Sequence, residues 1–196
     1  MSEVKNGNKP KYVLEVKDLH TTFSTDKGGK VNAVNGVSFS LEPGKILGIV
    51  GESGSGKSVT AYSIMNILAE NGGITGGQIL YNGEDITKWD EKKMASFRGK
   101  CCSIIFQDPM TSLNPVFTIG NQLMEAIMLH TDRNKEQAKA RAIEMLELVG
   151  INEPEKRVKQ YPYELSGGMR QRVMIAMALA CEPDILIADE PPPRWT

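Results

Sequence analysis

Apolar residues recur along this chain with two different periods, and the change of period divides it into a strand-rich start and a helix-rich second half. Residues 12–19 alternate apolar and polar positions, and residues 34–41 do the same, which predicts two half-buried strands. The turn-forming stretch 26–30 between them predicts a hairpin, and Pro43-Gly44 ends its second strand. The fold is therefore expected to begin with an antiparallel sheet.

Three short runs are almost entirely apolar: residues 46–50, 102–106 and 185–188. Runs of this kind suit parallel strands that are buried on both faces of a sheet. Pro109 prevents the second run from continuing as a strand. These runs predict the core strands of an α/β fold.

The segment between the first two runs contains weaker signals. Residues 59–68 predict a helix, and the glycine-rich stretch 71–77 predicts a flexible connection. Residues 78–81 then predict a short strand that ends in a tight Asn82-Gly83 turn.

Helical spacing dominates from residue 118 to residue 150. Ile119, Leu123 and Ile127 share one helix face. A second helix is predicted by Ile143, Leu146 and Val149, with Gly150 as its stop, and a third helix is predicted over residues 173–180. The expected fold class is α/β: a parallel core sheet, an N-terminal antiparallel β subdomain and an α-helical insert.

Composition narrows the functional classes only a little. The chain has 196 residues, with 23 Lys and Arg against 24 Asp and Glu, so its charge gives no indication of nucleic-acid binding. No apolar run approaches the roughly 18 residues that a membrane span needs. Residues 1–10 are polar and predicted to be disordered. The three cysteines lack metal-type spacing and are interpreted as small buried thiols: Cys101, Cys102 and Cys181.

The strongest chemical signal is the phosphate loop Gly51-x-x-x-x-Gly56-Lys57-Ser58, which lies between a predicted strand and a predicted helix. Glycines let backbone N–H groups turn inward around an anion, and the following helix adds its positive end. Lys57 would reach the β- and γ-phosphates of a nucleotide, and the Ser58 hydroxyl would bind Mg²⁺. A glycine- and serine-rich turn with an incidental lysine is the alternative. Nine residues are predicted to contact ATP here: Gly51, Glu52, Ser53, Gly54, Ser55, Gly56, Lys57, Ser58 and Val59.

Two carboxylates, Asp189 and Glu190, follow the third apolar run directly. Ligands of open α/β sheets bind beyond the carboxyl ends of the strands. Asp189 is predicted to hold Mg²⁺ through its hydration shell, and Glu190 to orient and polarise the attacking water. Many strands end in a solvated Asp, so this interpretation depends on the phosphate loop upstream.

A second anion site is predicted where Leu165-Ser166-Gly167-Gly168 precedes Met169-Arg170-Gln171-Arg172 and a helix. This stretch, just upstream of the acidic strand end, resembles the signature of ATP-binding cassette (ABC) ATPases. The resemblance covers about residues 12–190 and implies a P-loop NTPase (RecA-like) core. It also implies that Gln107 is the family's Q-loop glutamine, acting in catalysis and at the metal. Phe23 would stack on adenine, with a purely structural role in the hairpin core as the alternative.

Residues 106–115 and 166–178 are similar to the first ATPase subunit of dipeptide and oligopeptide importers, in which Met at position 169 is usual. Nickel importers are close relatives. The resemblance implies a head-to-tail pair of ATPase subunits, in which Ser166, Gly167 and Gly168 contact the nucleotide of the partner. It implies two membrane permease subunits, a peptide-binding protein acting indirectly, and a peripheral location on the cytoplasmic face of the membrane. A soluble cassette in DNA repair or translation is the competing class.

The last six residues, 191–196, depart from the family pattern Pro-Thr-Thr-Ala-Leu-Asp after Glu190. One nucleotide deletion in suitable codons would produce all six residues and the terminus, and a cloning scar or a deliberate truncation is the alternative. We therefore expect an incomplete ABC domain over residues 11–190, with a helical subdomain at about 108–170 and an aberrant tail. Such a chain is expected to bind ATP but hydrolyse it weakly, or to be a non-catalytic nucleotide-binding fragment.

Overall fold

The computed structural model describes residues 10–26, 28–106 and 112–189. The predicted disorder of residues 1–9, the Q-loop residue Gln107, the carboxylate Glu190 and the tail 191–196 lie outside the described residues. The chain divides into two compact units, Met1–Met94 and Ala95–Thr196. No helix within the described ranges has both the length and the apolar character that crossing a membrane requires.

The first unit is built on a four-stranded antiparallel sheet with the order β2-β1-β3-β4. The strands are β1 (Leu14–Ser24), β2 (Lys30–Leu41), β3 (Gly72–Tyr81) and β4 (Glu84–Asp85). The predicted hairpin is confirmed, because β1 and β2 pair antiparallel. In the turn between them, the Thr25 N–H donates to the Gly29 carbonyl oxygen at 2.9 Å. The Asn82-Gly83 turn is confirmed as well, with both residues at positive φ.

The prediction that residues 71–77 form a flexible connection is wrong. Residues 72–77 are the first part of β3 and pair with β1. Their glycines allow close packing: a side chain at Gly72 would collide with the Phe23 ring, and one at Gly77 would collide with the Asp18 carbonyl. Glycine is therefore used here to bring two strands together rather than to loosen the chain.

A helix, α1 (Lys57–Met65), packs on this sheet through a buried face that includes Thr60, Ile64 and Met65. Ser63 and Thr21 share a buried hydrogen bond of 2.8 Å between their hydroxyl oxygens. The helix ends three residues earlier than residue 68, because Asn66 adopts a left-handed conformation with φ of 50°.

The predicted buried strand at residues 46–50 is not observed. The structure assigns no strand there, and the side chains of Ile46 and Val50 are 100% and 94% exposed. A strand needs a neighbour to pair its backbone groups, and no strand among the described residues pairs with this run. Its apolar composition is suited to burial, but the described part of the chain covers only about half of Leu47 and Ile49, which are 42% and 50% exposed. We call residues 46–50 the exposed apolar run.

The second unit contains a two-stranded parallel sheet, β5 (Cys102–Ile105) and β6 (Ile185–Ala188), as the apolar runs predict. Helices fill the chain between these strands: α3 (Ile119–His130), α4 (Lys135–Leu148), α5 (Pro154–Arg157) and α6 (Gly167–Leu179). Another short helix, α2 (Glu91–Phe97), spans the point in the sequence at which the units divide. Single 3₁₀ turns occur at Ile86–Lys88 and Pro162–Glu164.

The predicted face of α3 lies in the core of this unit, whereas in the face predicted for the second helix Ile143 and Val149 are only partly buried and pack against that core. Ile119, Leu123 and Ile127 are each 0% exposed, and Leu146 is buried against them. Each of the three longer helices, α3, α4 and α6, starts at a side-chain cap: Thr118, Asn134 and Ser166.

Gly150 ends α4 as predicted, with φ of 73°. The Gly150 N–H donates to the Glu147 carbonyl (2.8 Å) and the Ile151 N–H to the Leu146 carbonyl (2.9 Å). This pair of bonds is the Schellman motif. Ile151 is buried beside Leu146, so the end of α4 is fixed by packing as well.

The interpretation of all three cysteines as buried thiols holds only for Cys102. Cys102 lies within β5 and is 0% exposed, and burial raises the pKa of its thiol to about 12. Cys101 and Cys181 are partly exposed, because one precedes β5 and the other follows α6. All three thiols are free.

Candidate functional site

The phosphate loop, residues 51–58, leads from the exposed apolar run into α1. Gly54 and Gly56 have φ angles of 79° and 91°, a region that side chains with a Cβ atom rarely occupy. Gly56 is the N-cap of α1, and no acidic residue lies in the first turn. The positive end of the helix is therefore presented to the loop without a competing carboxylate.

Gly56 is constrained a second time by its packing. A Cβ atom there would collide with the Ala33 carbonyl and lie 3.6 Å from Val34 on β2. Gly54 has open space around it, with no atom within 4 Å of an added Cβ. The loop thus rests against the β sheet at Gly56 and projects away from it at Gly54.

Lys57, the first residue of α1, reaches back over the loop. Its ammonium Nζ donates to the carbonyl oxygens of Gly51 and Glu52, at 2.9 Å each. Residues 51–55 are exposed, and Gly56, Lys57, Ser58 and Val59 are half-buried. The loop therefore places a cation and a row of exposed backbone groups at one helix end, which is suited to binding a polyphosphate.

Phe23 is connected to the phosphate loop by strand β2, with which it pairs. It pairs with Val31 on β2 and with Gly72 on β3, and its ring covers Gly72. Val31 is two residues, about 7 Å along a strand, from Ala33, which contacts Gly56. Paired residues project from the same face, so Phe23 and the 53%-exposed Val31 present apolar surface together.

Sequence reasoning missed Val31 and Ala33, since cross-strand register decides which residues stand beside Phe23 and the loop. The alternation of residues 34–41 started the predicted strand too late to include them. The turn-forming residues 26–30 are the only signal in the sequence for an earlier start of this strand, because a hairpin strand begins directly after its turn.

In the second unit, β6 ends directly before Asp189. The Asp189 N–H donates to the Ile105 carbonyl at 3.0 Å, which continues the β5–β6 pairing, and the residue is 5% exposed. Gln107 and Glu190, the predicted Q-loop residue and water-polarising carboxylate, lie outside the described residues. The structure therefore places Asp189 at the carboxyl end of a parallel strand, as expected.

The signature segment forms the N-terminus of α6. Ser166 is the N-cap, and its hydroxyl oxygen accepts a hydrogen bond from the Met169 N–H at 3.3 Å. Gly167 and Gly168 are exposed, and nothing lies within 4 Å of a Cβ atom added to either. Packing within this unit gives no reason for glycine at these two positions, which leaves the helix end open to an anion.

The chemistry of the predicted donors fits magnesium. Ser58 offers a hydroxyl oxygen and Asp189 a carboxylate, and Mg²⁺ prefers oxygen ligands. Over the described ranges, no group of three or more His, Cys, Asp or Glu residues is arranged to hold a metal. Nucleotide-bound Mg²⁺ needs no such group, since phosphates and waters complete its coordination.

Comparisons with known proteins agree with these features. The sequence model of the family described as ABC transporter matches residues 34–192. The oligopeptide transport ATP-binding protein of Bacillus subtilis is 56% identical over 91% of this chain and 50% of its own length. The dipeptide transport ATP-binding protein of the same organism is 54% identical over 91% and 53%. The oligopeptide transport ATP-binding protein of Escherichia coli is 55% identical over 91% and 52%. The chain thus spans about half the length of these curated relatives.

Solved structures lead to the same family. A dimeric ATP-binding cassette in a post-hydrolysis state with ADP and Pi aligns with a TM-score of 0.79 and 26% identity, over 90% of this chain and 73% of that one. A component of the cbiONQ ABC transporter complex of Clostridium perfringens aligns with a TM-score of 0.72 and 25% identity, over 92% and 66%. By sequence and by fold, the chain belongs to the ABC transporter family of ATP-binding cassettes, and it is similar to the oligopeptide and dipeptide transport ATP-binding proteins.

Proposed function

We propose that this chain is the ATP-binding part of an ATPase subunit that energises the import of oligopeptides or dipeptides. The observation that carries the proposal is the phosphate loop, in which left-handed glycines, Lys57 and an acid-free helix start form one anion site. Identity above 50% to transport ATP-binding proteins for oligopeptides and dipeptides supports the class of cargo.

In this proposal Lys57 binds the β- and γ-phosphates, and backbone N–H groups of residues 51–58 bind the remaining phosphate oxygens. Ser58, Gln107 and, through the hydration shell, Asp189 would hold Mg²⁺, which would supply positive charge against the phosphates. Glu190 orients the attacking water. Phe23 stacks on the adenine, and Val31 extends the apolar surface beside it.

The signature segment acts on a second nucleotide. Ser166, Gly167 and Gly168 contact the ATP of a second ATPase subunit paired head to tail, which accounts for their exposure. A solved relative is itself dimeric. The pair acts on two permease subunits at the cytoplasmic face of the membrane, and a peptide-binding protein delivers the cargo.

A second candidate, nucleotide binding with weak hydrolysis, is favoured by the exposed apolar run. The run 46–50, which leads into the phosphate loop, forms no strand and pairs with no described strand. Transition-state stabilisation requires catalytic groups held in fixed positions. Nucleotide binding tolerates more variation in the position of the phosphate loop. Turnover close to that of a characterised peptide-importer ATPase would exclude this candidate.

The test of the proposal is ATP binding by Lys57→Ala, with Lys45→Ala as a control that removes an exposed lysine. Loss of a charged donor to phosphate is expected to weaken binding by about tenfold to a hundredfold. Calorimetric titration with Mg-ATP measures it. Equal affinity in Lys57→Ala and the unsubstituted chain would overturn the assignment of the loop.

The transport part of the proposal has its own test. Membranes that carry peptide-importer permease subunits should retain the purified chain, and membranes without them should not. Retention that is equal on both kinds of membrane would contradict a role with these permeases.

A further inference from the structure

Arg172 lies on the second turn of α6, four residues after Gly168. Residues four apart lie on the same face of a helix, one turn above another. Long side chains on a helix lean toward its N-terminus. Arg172 therefore belongs to the face of α6 that carries Gly168, a predicted phosphate contact.

The Arg172 guanidinium does not stay within its own helix. Its Nη1 atom donates to the Gly150 carbonyl oxygen at 2.7 Å, across to the end of α4. A cation at this position also faces the negative end of the α4 dipole. The interaction combines a short charged hydrogen bond with a favourable helix-end contact.

The acceptor of this bond is held rigidly. Gly150 is the left-handed residue of the Schellman motif, and its own N–H and that of Ile151 bond back into α4. A Cβ atom on Gly150 would lie 3.3 Å from Arg172 Nη1, so the two groups are in close contact. Arg172 therefore bonds α6 to the hydrogen-bonded C-terminal end of α4.

The rest of α6 is anchored differently. Leu165, just before the N-cap, is buried in the core of the unit. At the other end, Arg141 donates from Nε to the Ala180 carbonyl at 3.3 Å and pairs with Glu182 at 3.0 Å. Between these ends, α6 buries Val173, Met174 and Ala176 in the core of the unit. The bond from Arg172 to Gly150 adds a charged hydrogen bond on the face that carries Gly168.

We propose that Arg172 is a positioning residue for the phosphate contact made by Ser166, Gly167 and Gly168. Through its bond to the Gly150 carbonyl, it sets the orientation at which the N-terminus of α6 meets the anion. The identity of that anion as the nucleotide of a partner rests on the proposed function. The positioning by Arg172 involves only residues of the second unit.

Amide hydrogen exchange on the full chain tests this inference. The reporters are the Met169 and Arg170 amides, which bond to the hydroxyl and the carbonyl of Ser166. Arg172→Gln is expected to speed their exchange about tenfold, and Arg172→Lys is expected to restore most of the protection. The Ile185 amide, bonded to the Cys101 carbonyl in the same unit, is expected to keep its rate.

Lys156→Gln is the matched control, because it removes an exposed, ion-paired charge from α5. It should leave Met169 and Arg170 unchanged. Unchanged exchange in Arg172→Gln overturns the proposal, and so does an equal rise at Ile185, which would show general destabilisation. If Arg172→Gln is too unstable to handle, the same comparison of Met169 and Arg170 with Ile185 is made on Arg172→Met, which keeps an unbranched side chain and removes the guanidinium donor. Equal ATP affinity in Lys57→Ala and the unsubstituted chain would overturn the assignment of the phosphate loop and leave this result unaffected.

Discussion

Gly54 and Gly56, two positions apart in the phosphate loop, are required for different reasons. Gly54 needs only its backbone conformation, with φ of 79° and open space around it. Gly56 needs its conformation and its lack of a side chain, because the Ala33 carbonyl occupies the place of a Cβ atom. The same residue type therefore carries different constraints two positions apart.

The two substitutions Gly54→Ala and Gly56→Ala should separate these constraints. A left-handed alanine costs about 1 kcal/mol, which is the whole expected effect at position 54. At position 56 the collision with Ala33 adds to it, and we expect a loss of about 3 kcal/mol in unfolding free energy. Denaturant unfolding measures both. Equal losses would show that the contact with β2 relaxes without cost.

At the same scale, the sequence shows the short motifs of the candidate site but not the residues that surround them in the fold. Lys57, Ser58 and Asp189 were predicted because short motifs specify their neighbours in the chain. Val31 and Ala33 were missed, since only the pairing of β1 with β2 brings them beside Phe23 and Gly56.

At the scale of elements, the helices were the most predictable parts. Ile119, Leu123 and Ile127 repeat at helical spacing, and that spacing alone defines a buried face. Residues 72–77 were mistaken for a connection because glycine is common in both flexible loops and close strand contacts. Packing against Phe23 and Asp18 decides between the two, and packing is not visible in a local pattern.

Helix α4 illustrates how local chemistry fixes an element at its start. Asn134 accepts from the N–H groups of Glu136 and Gln137, and the Gln137 side chain accepts from the Asn134 N–H at 2.9 Å. This reciprocal arrangement is a capping box. Three backbone N–H donors at the helix start are thereby satisfied.

Asn134→Ala should lower the free energy of unfolding by about 1 kcal/mol, because the cap is lost. Lys139→Ala, an exposed substitution within the same helix, serves as the comparison and should change stability little. Thermal unfolding followed by circular dichroism gives both values. A loss in Asn134→Ala no larger than that in Lys139→Ala would remove the capping box as a source of stability.

At the scale of the whole molecule, the residues predicted to bind nucleotide are found in both units. The phosphate loop and Phe23 belong to the first unit, and Asp189 and the signature segment belong to the second. The fold class was predicted correctly because alternating elements and apolar runs specify an α/β protein. The burial of the run 46–50 was predicted wrongly, since burial depends on partner strands rather than on composition.

The exposed apolar run makes self-association the expected behaviour of the isolated chain. Ile46 and Val50 are almost fully exposed, and the run carries no charge. Ile46→Lys should weaken association about tenfold without lowering the thermal midpoint, because the side chain makes no buried contact. Sedimentation at several concentrations measures the association.

Leu148→Lys is the control, since Leu148 is a 70%-exposed side chain on α4, away from the run in sequence. It should leave self-association unchanged. A monomeric unsubstituted chain at all concentrations would contradict the prediction.

The tight turn at Asn82-Gly83 has a consequence for the chemical ageing of the protein. Both residues are exposed, and an asparagine followed by glycine is prone to deamidation through attack by the next backbone nitrogen. The isoaspartate that can result lengthens the main chain by one carbon. A two-residue turn cannot accommodate an additional main-chain atom without a change in its geometry. The pair that flanks the turn, Tyr81 and Glu84, would therefore be lost first. Stored samples should therefore accumulate an acidic variant whose damage starts at this hairpin, far in sequence from the phosphate loop.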